Sequence, residues 1–265
     1  MSTTHAARRN GGIEATGLDG AVIKPTECDP AAATDLPFEL VCIDYEGRAA
    51  LPDADLLAEL AAERTLRVTT PVRATGFDPL GDDSLVDQVP DDAGRVLVAG
   101  HPAYLDDEEQ ERAVAPRLGA AVAEATEPWV GTESIERVAL AAGGVQYELL
   151  SRRTERDLRG LRAAGFDGEV AVYAPTVPSD DEDEILDAVG EYAARRGPVR
   201  RALPEDAATD ARATGRAREV LSAAVRDYAL VGDHETISER VGSLRDAGAD
   251  LVVGYPATGV ETFCE

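Results

Sequence analysis

The 265-residue chain carries 51 acidic and 26 basic side chains, a formal charge of −25, and so lacks the basic footprint that nucleic-acid phosphates or an anionic bilayer require. Apolar residues make up 44%, enough for one large core, and no run of them reaches the length of a membrane-spanning helix. Aromatics are only 5%, so alanine, valine and leucine must fill most of that core.

In chain order, residues 1–16 are polar and aperiodic and read as a flexible tail ahead of a single domain over 17–265. Short β-rich runs then alternate with amphipathic helical patterns. GAVIK (20–24) and FELVCID (38–44) are the first two runs, followed by a helix over 53–64. LRVTTPV (66–72) and RVLVAGH (95–101) come next, then an acid-rich helix over 107–125. PWVG (128–131), a helix over 133–143, GVQYELL (144–150) and a glycine-terminated helix over 154–165 follow. EVAVYAP (169–175) precedes helices over 181–196 and 209–227, and a last helix over 233–249 leads into LVVGYP (251–256).

Eight runs separated by helices predict an α/β fold of parallel units, with runs such as VLVA and LVVG apolar enough to be covered on both faces. A closed (β/α)8, TIM-barrel-like domain is the economical arrangement, because closure removes both sheet edges. An open doubly wound sheet is the rival, weakened by the lack of G-x-G-x-x-G after the first run.

Cys28, Cys42 and Cys264 show neither metal-ligand spacing nor an even count, and the N-terminus lacks a signal-type apolar stretch, which together point to a reducing cytoplasm. Among the 26 basic residues only Lys24 is a lysine. Acidic, alanine-rich, lysine-poor composition is that of proteins from salt-loaded cytoplasm, such as those of halophilic archaea, where screening makes such self-repulsion tolerable. A lysine retained against that bias, just after an apolar run, is a candidate functional group.

In (β/α)8 barrels the site lies at the C-terminal ends of the strands. Those ends hold Lys24; Asp44, Tyr45 and Glu46; Thr70 and Arg73; His101; Thr132, Glu133 and Ser134; Glu148; Tyr173; and Tyr255. Lys24 and His101 are the candidate catalytic groups, and Tyr173 and Tyr255 could flank a planar ring. Gly232 and Asp233 precede the last helix, where backbone N–H groups can meet an anion, although Asp233 is better read as an N-cap. Asp44, Glu46, His101 and Glu133 would suit Mn²⁺ or Mg²⁺ in a metal-assisted alternative, and Lys24 a Schiff base in an aldolase-like one.

The stretches EPWVGTESIERVALAAGGVQYELL (127–150), FDGEVAVYAPTVPSDDEDEILDAV (166–189) and ALVGDHETISERVGSLRDAGADLVVGYP (229–256) resemble, in order and spacing, the luciferase-like monooxygenase superfamily. This bacterial-luciferase type of barrel has an archaeal branch of methylenetetrahydromethanopterin reductases and other enzymes using coenzyme F420. LRVTTPVR (66–73) takes the place of the family's third strand. Its A-D-G reads Gly144-Val145-Gln146 here, its G-[ST]-P reads Gly232-Asp233-His234, and the insertion after its third or fourth strand is missing. Where the family often has a non-prolyl cis peptide, Thr70-Pro71 offers a prolyl bond for which cis costs less.

The resemblance implies a shortened luciferase-like oxidoreductase, with a deazaflavin (coenzyme F420) or FMN lying across the barrel mouth and a small molecule as substrate. Lys24 or Arg73 would meet the phosphorylated tail, and His101 would hydrogen-bond the ring or donate a proton. Thr70, Pro71, Glu133, Tyr173, Gly232 and Tyr255 would lie about the cofactor. The alternative is a non-catalytic barrel serving as a binding or assembly module, with the helix over 209–227 as a homodimer interface. Neither reading requires a resident metal, a nucleic acid or a membrane.

Overall fold

All eight apolar runs become strands because each is covered on two sides, by the barrel interior and by helices. The computed structural model describes residues 12–72, 85–99, 113–132 and 136–264. Within them β1 (Gly20–Ile23), β2 (Leu40–Ile43), β3 (Thr65–Pro71), β4 (Gly94–Ala99), β5 (Trp129–Thr132), β6 (Val145–Leu149) and β7 (Val170–Val177) follow in order. A two-residue β8 (Leu230–Val231) precedes β9 (Leu251–Pro256). Parallel pairing runs from β1 through β7; β7–β9 and β1–β9 close the ring, with Tyr173 and then Gly20 opposite Val253. The result is a closed eight-stranded (β/α)8 barrel. β8 stands outside it, extending the end of β7 with Thr176 opposite Leu230.

The helices are α1 (Ala54–Glu63), α2 (Val114–Glu124), α3 (Glu136–Ala142), α4 (Thr154–Ala163), α5 (Glu182–Ala194), α6 (Gly197–Ala202), α7 (Gly215–Tyr228) and α8 (His234–Ala247). Aspartates start three of them: Asp53 accepts from Leu56 N–H, Asp181 from Asp183 and Glu184 N–H, and Asp233 from Thr236 N–H. Such caps are worth about 1 kcal/mol each, and they suit a chain already rich in acids. Among the described residues no helix is long and apolar enough to cross a membrane.

Alternation along the strands sorts side chains between two environments. Val22, Cys42, Val96, Trp129, Tyr173, Val253 and Tyr255 fill the ring. Val41, Val68, Val172 and Val252 face outward into the layer under α1, α4 and α8. Leu97 and Val130 pack with Leu118 of α2 and Ala139 of α3. A further core, built from Leu186, Val189, Leu221 and Val225, holds α5 and α7 together beside β8.

Three expectations change. The tail expected over 1–16 gives way at Ile13–Thr16, a 3-10 turn in which Ile13 and Thr16 are fully buried. Helix α7 starts at Gly215 and not near 209, because the Asp210 carboxylate takes the Arg212 backbone N–H, a local bond that competes with the helix. The helix expected over 107–125 begins at Val114, with Ala113 extended ahead of it as the N-cap; residues 107–112 lie outside the described ones.

Candidate functional site

The C-terminal ends of β1, β2, β3 and β9 bring one cation, three carboxylates and a phenol together. Lys24 directly follows β1, and its Nζ lies 4.4 Å from the centroid of the Tyr255 ring and 3.6 Å from Glu27 Oε1. The Tyr255 hydroxyl donates to the other oxygen of Glu27. Asp44 extends β2 and is held beside β1 by its N–H bond to Ile23 O (2.8 Å). Its Oδ1 accepts from Thr69 Oγ1 of β3 at 2.8 Å. Glu46 accepts from Thr26 N and Oγ1 at 2.8 and 2.5 Å, fastening the two loops to each other.

These contacts position more than they stabilise. A part-exposed Lys–Glu pair is worth about 0–1 kcal/mol, and a cation–π contact on a buried ring such as Tyr255 about 1–2. Asp44 is where the fold bears a cost. Burial pushes its carboxyl up to about 6, against the Thr69 hydrogen bond and the Lys24 charge, and Glu46 and Glu27 add to the rise. Tyr255 is raised by burial and by Glu27, so its phenol stays a donor. Below them Cys42 is pushed up to about 12 by burial and is an inert thiol.

Tyr173 sits deeper, buried inside the ring, with its phenol raised by burial first and by Asp44 next. Its ring lies 6.0 Å from that of Tyr147, which lies 5.7 Å from Trp129, so an aromatic column runs along the axis. Pro71 ends β3, and the Thr70–Pro71 bond is trans, there being no cis peptide among the described residues. Thr70 departs from expectation. Alternation puts Thr69 on the inside face, so Thr70 turns outward, where its hydroxyl donates to Val68 O (3.1 Å) and accepts from Arg95 Nη1 (3.3 Å).

Gly232 leads into α8 with φ 123°, but the N–H of Asp233 is taken by the Asp180 carboxylate at 3.0 Å and that of Thr236 by Asp233 at 2.8 Å. Two acids at one helix start repel an anion, and Asp233 acts as the N-cap. Arg73, His101 and Glu133 lie outside the described residues. Among the described residues no three His, Cys, Asp or Glu side chains gather to hold a metal ion.

Glu27 and Thr69 are members of the cluster that strand-end reading did not single out. Glu27 lies three residues past Lys24, the spacing of one turn, and Thr69 lies two residues before Pro71 on β3. Gln146, where the superfamily pattern has its A-D-G glycine, points outward instead. Its Nε2 donates to the carbonyls of Ala139, Gly143 and Gly144 at 3.2–3.4 Å and so closes the end of α3.

No curated protein matches the chain. Among solved structures, the coenzyme F420-dependent tetrahydromethanopterin reductase from Methanopyrus kandleri is similar over 93% of this chain and 95% of its own, with a TM-score of 0.60 and 13% identity. An F420-dependent secondary alcohol dehydrogenase, solved with an F420–acetone adduct, is similar over 93% of this chain and 96% of its own, with a TM-score of 0.59 and 12% identity. The monooxygenase RslO1 from Streptomyces bottropensis reaches a TM-score of 0.50 at 16% identity, covering 92% of this chain and 94% of its own. At such identities these likenesses establish the luciferase-like barrel fold. The family model described as "Family of unknown function (DUF7388)" matches residues 13–263, and the chain belongs to that family.

Proposed function

We propose that this barrel is a luciferase-like oxidoreductase that binds a deazaflavin, coenzyme F420, or FMN in its place, across the C-terminal mouth and acts there on a small molecule. The grouping of Lys24, Asp44 and Tyr255 carries the reading, because it lies at the end where (β/α)8 enzymes hold their sites. The fold shared with F420-dependent enzymes supports it.

The described residues fit the ring of such a cofactor. Its pyrimidinedione edge offers carbonyl acceptors and an N–H donor, which the Lys24 ammonium and the Asp44 or Glu46 carboxylate complement. They do not fit an anionic tail, since Glu27, Asp44 and Glu46 outnumber Lys24, and we assign the tail to Arg73. When bound, the cofactor supplies hydride transfer. Asp44 holds the accompanying proton on its carboxylate: Thr69 fixes Oδ1, and a carboxyl that titrates at about 6 gives or takes a proton near neutrality. Tyr255, its hydroxyl engaged by Glu27, holds the Lys24 ammonium against its ring. His101 is assigned as a ring partner or second proton donor.

The test is a fluorescence titration of purified protein with F420 and with FMN, in molar KCl because of the −25 charge. Saturable quenching by either, lost in Lys24→Met, is the expected result. Silence from both removes this reading. The excess of carboxylates at the mouth then favours a non-catalytic module, whose α7-mediated homodimer would register in sedimentation.

A further inference from the structure

The opposite, N-terminal end of the barrel holds a cavity of about 580 Å³, within the roughly 300–1,000 Å³ range of small-molecule sites. Leu40, Val145 and Leu251, at the starts of β2, β6 and β9, and Trp129 of β5 give it an apolar lining. Arg67 of β3 also lines it, with its guanidinium 4.5 Å from the Trp129 ring centroid. Gly94 makes room on β4, where a Cβ would stand 2.7 Å from Arg67 Nη1.

Arg67 is underused as a donor. Nη1 gives one bond, to Glu127 O at 3.1 Å, and buried Nε has no partner. No carboxylate among the described residues forms an ion pair with it; Glu127 and Glu169 are exposed and act on it only at longer range. Glu127 presents its carbonyl with φ 45°, a left-handed conformation that costs a non-glycine residue about 1 kcal/mol or more. A guanidinium partly withdrawn from water, stacked on an indole and facing apolar walls is the donor set of a carboxylate site. The acids at the rim disfavour a dianion, and Arg67 disfavours a cation.

We propose that this floor cavity binds a small monocarboxylate with an apolar, planar body, its carboxylate on Arg67 and its body against Leu40, Val145 and Leu251. The site is separate from the mouth and does not depend on a cofactor binding there. Trp129 is the chain's one tryptophan, so its emission reports the cavity. Benzoate is expected to change that emission saturably, with neutral benzamide and Arg67→Met each weakening binding by about tenfold or more. Should Arg67→Met not fold, the benzoate–benzamide comparison on the unaltered protein decides the matter. Lys24→Met is expected to bind benzoate as the unaltered protein does. The proposal is overturned if benzoate gives no saturable change, if benzamide binds equally well, or if Lys24→Met abolishes the signal, which would place the carboxylate at the mouth.

Discussion

Asp44→Asn is expected to stabilise the protein by about 2–3 kcal/mol near pH 7.5 and to change it little near pH 4. The folded carboxyl titrates at about 6 and its ordinary value is 3.8. Between those values the folded chain holds a proton that the unfolded chain has released. Raising the pH through this window therefore lowers stability, and above it the full cost of ionising Asp44 is present. Asparagine never ionises, yet its amide oxygen can still accept from Thr69, so the variant avoids the cost and keeps the hydrogen bond. Denaturant unfolding of both proteins at the two pH values measures the difference. An equal change at both would show that the carboxyl is not perturbed. A stability cost retained at the mouth is what a group held for chemistry imposes, so Asp44→Asn should also abolish any pH dependence of cofactor binding near neutrality.

Arg162→Ala is expected to cost about 2–4 kcal/mol, because one part-exposed guanidinium makes several charge-assisted bonds to part-buried carbonyls. Its Nε and Nη2 donate to Gly248 O at 3.1 and 2.7 Å, and Nη1 to Phe166 O and Gly168 O at 3.0 and 2.7 Å. Nη2 also meets Asp250 Oδ2 at 2.5 Å, the same oxygen that accepts from Val170 N–H at 2.7 Å. One guanidinium thus joins the ends of α4 and α8 to the starts of β7 and β9, and its removal leaves three part-buried carbonyls and a carboxylate short of donors. Arg195→Ala provides the contrast. Its pair with Glu191 joins side chains 71% and 72% exposed, against 26% for Arg162, so a loss below about 1 kcal/mol is expected. Urea midpoints compare them directly, and equal small losses would mean that water replaces the Arg162 network.

The barrel was legible because its strands are apolar on both faces and separated by amphipathic helices; the eight runs form the ring. β8 escaped notice, since two residues carry no periodicity and exist as a strand only by pairing with the end of β7. α6 was hidden by Pro198, which reads as a break although it occupies a first-turn position where no N–H is needed. At the mouth, Lys24 and Tyr255 were visible as strand-end residues. Thr70, also read as a strand-end residue, turns outward because Thr69, one step away, occupies the inside. Glu27 could not be foreseen as the partner of Tyr255, which is 228 residues distant in the chain. The stacking of Arg67 on Trp129 is equally invisible until the ring brings β3 and β5 to either side of β4.

The separate core that joins α5 to α7 has a consequence for how the molecule comes apart. Its apolar side chains meet each other and the tips of β7 and β8 instead of the layer beneath α1, α4 and α8. A unit bounded in this way opens by its own equilibrium, at a lower free energy than the ring. Amide protons along α5 and α7 are therefore expected to exchange with solvent as one block, ahead of those of the eight staves, in hydrogen exchange followed by mass spectrometry.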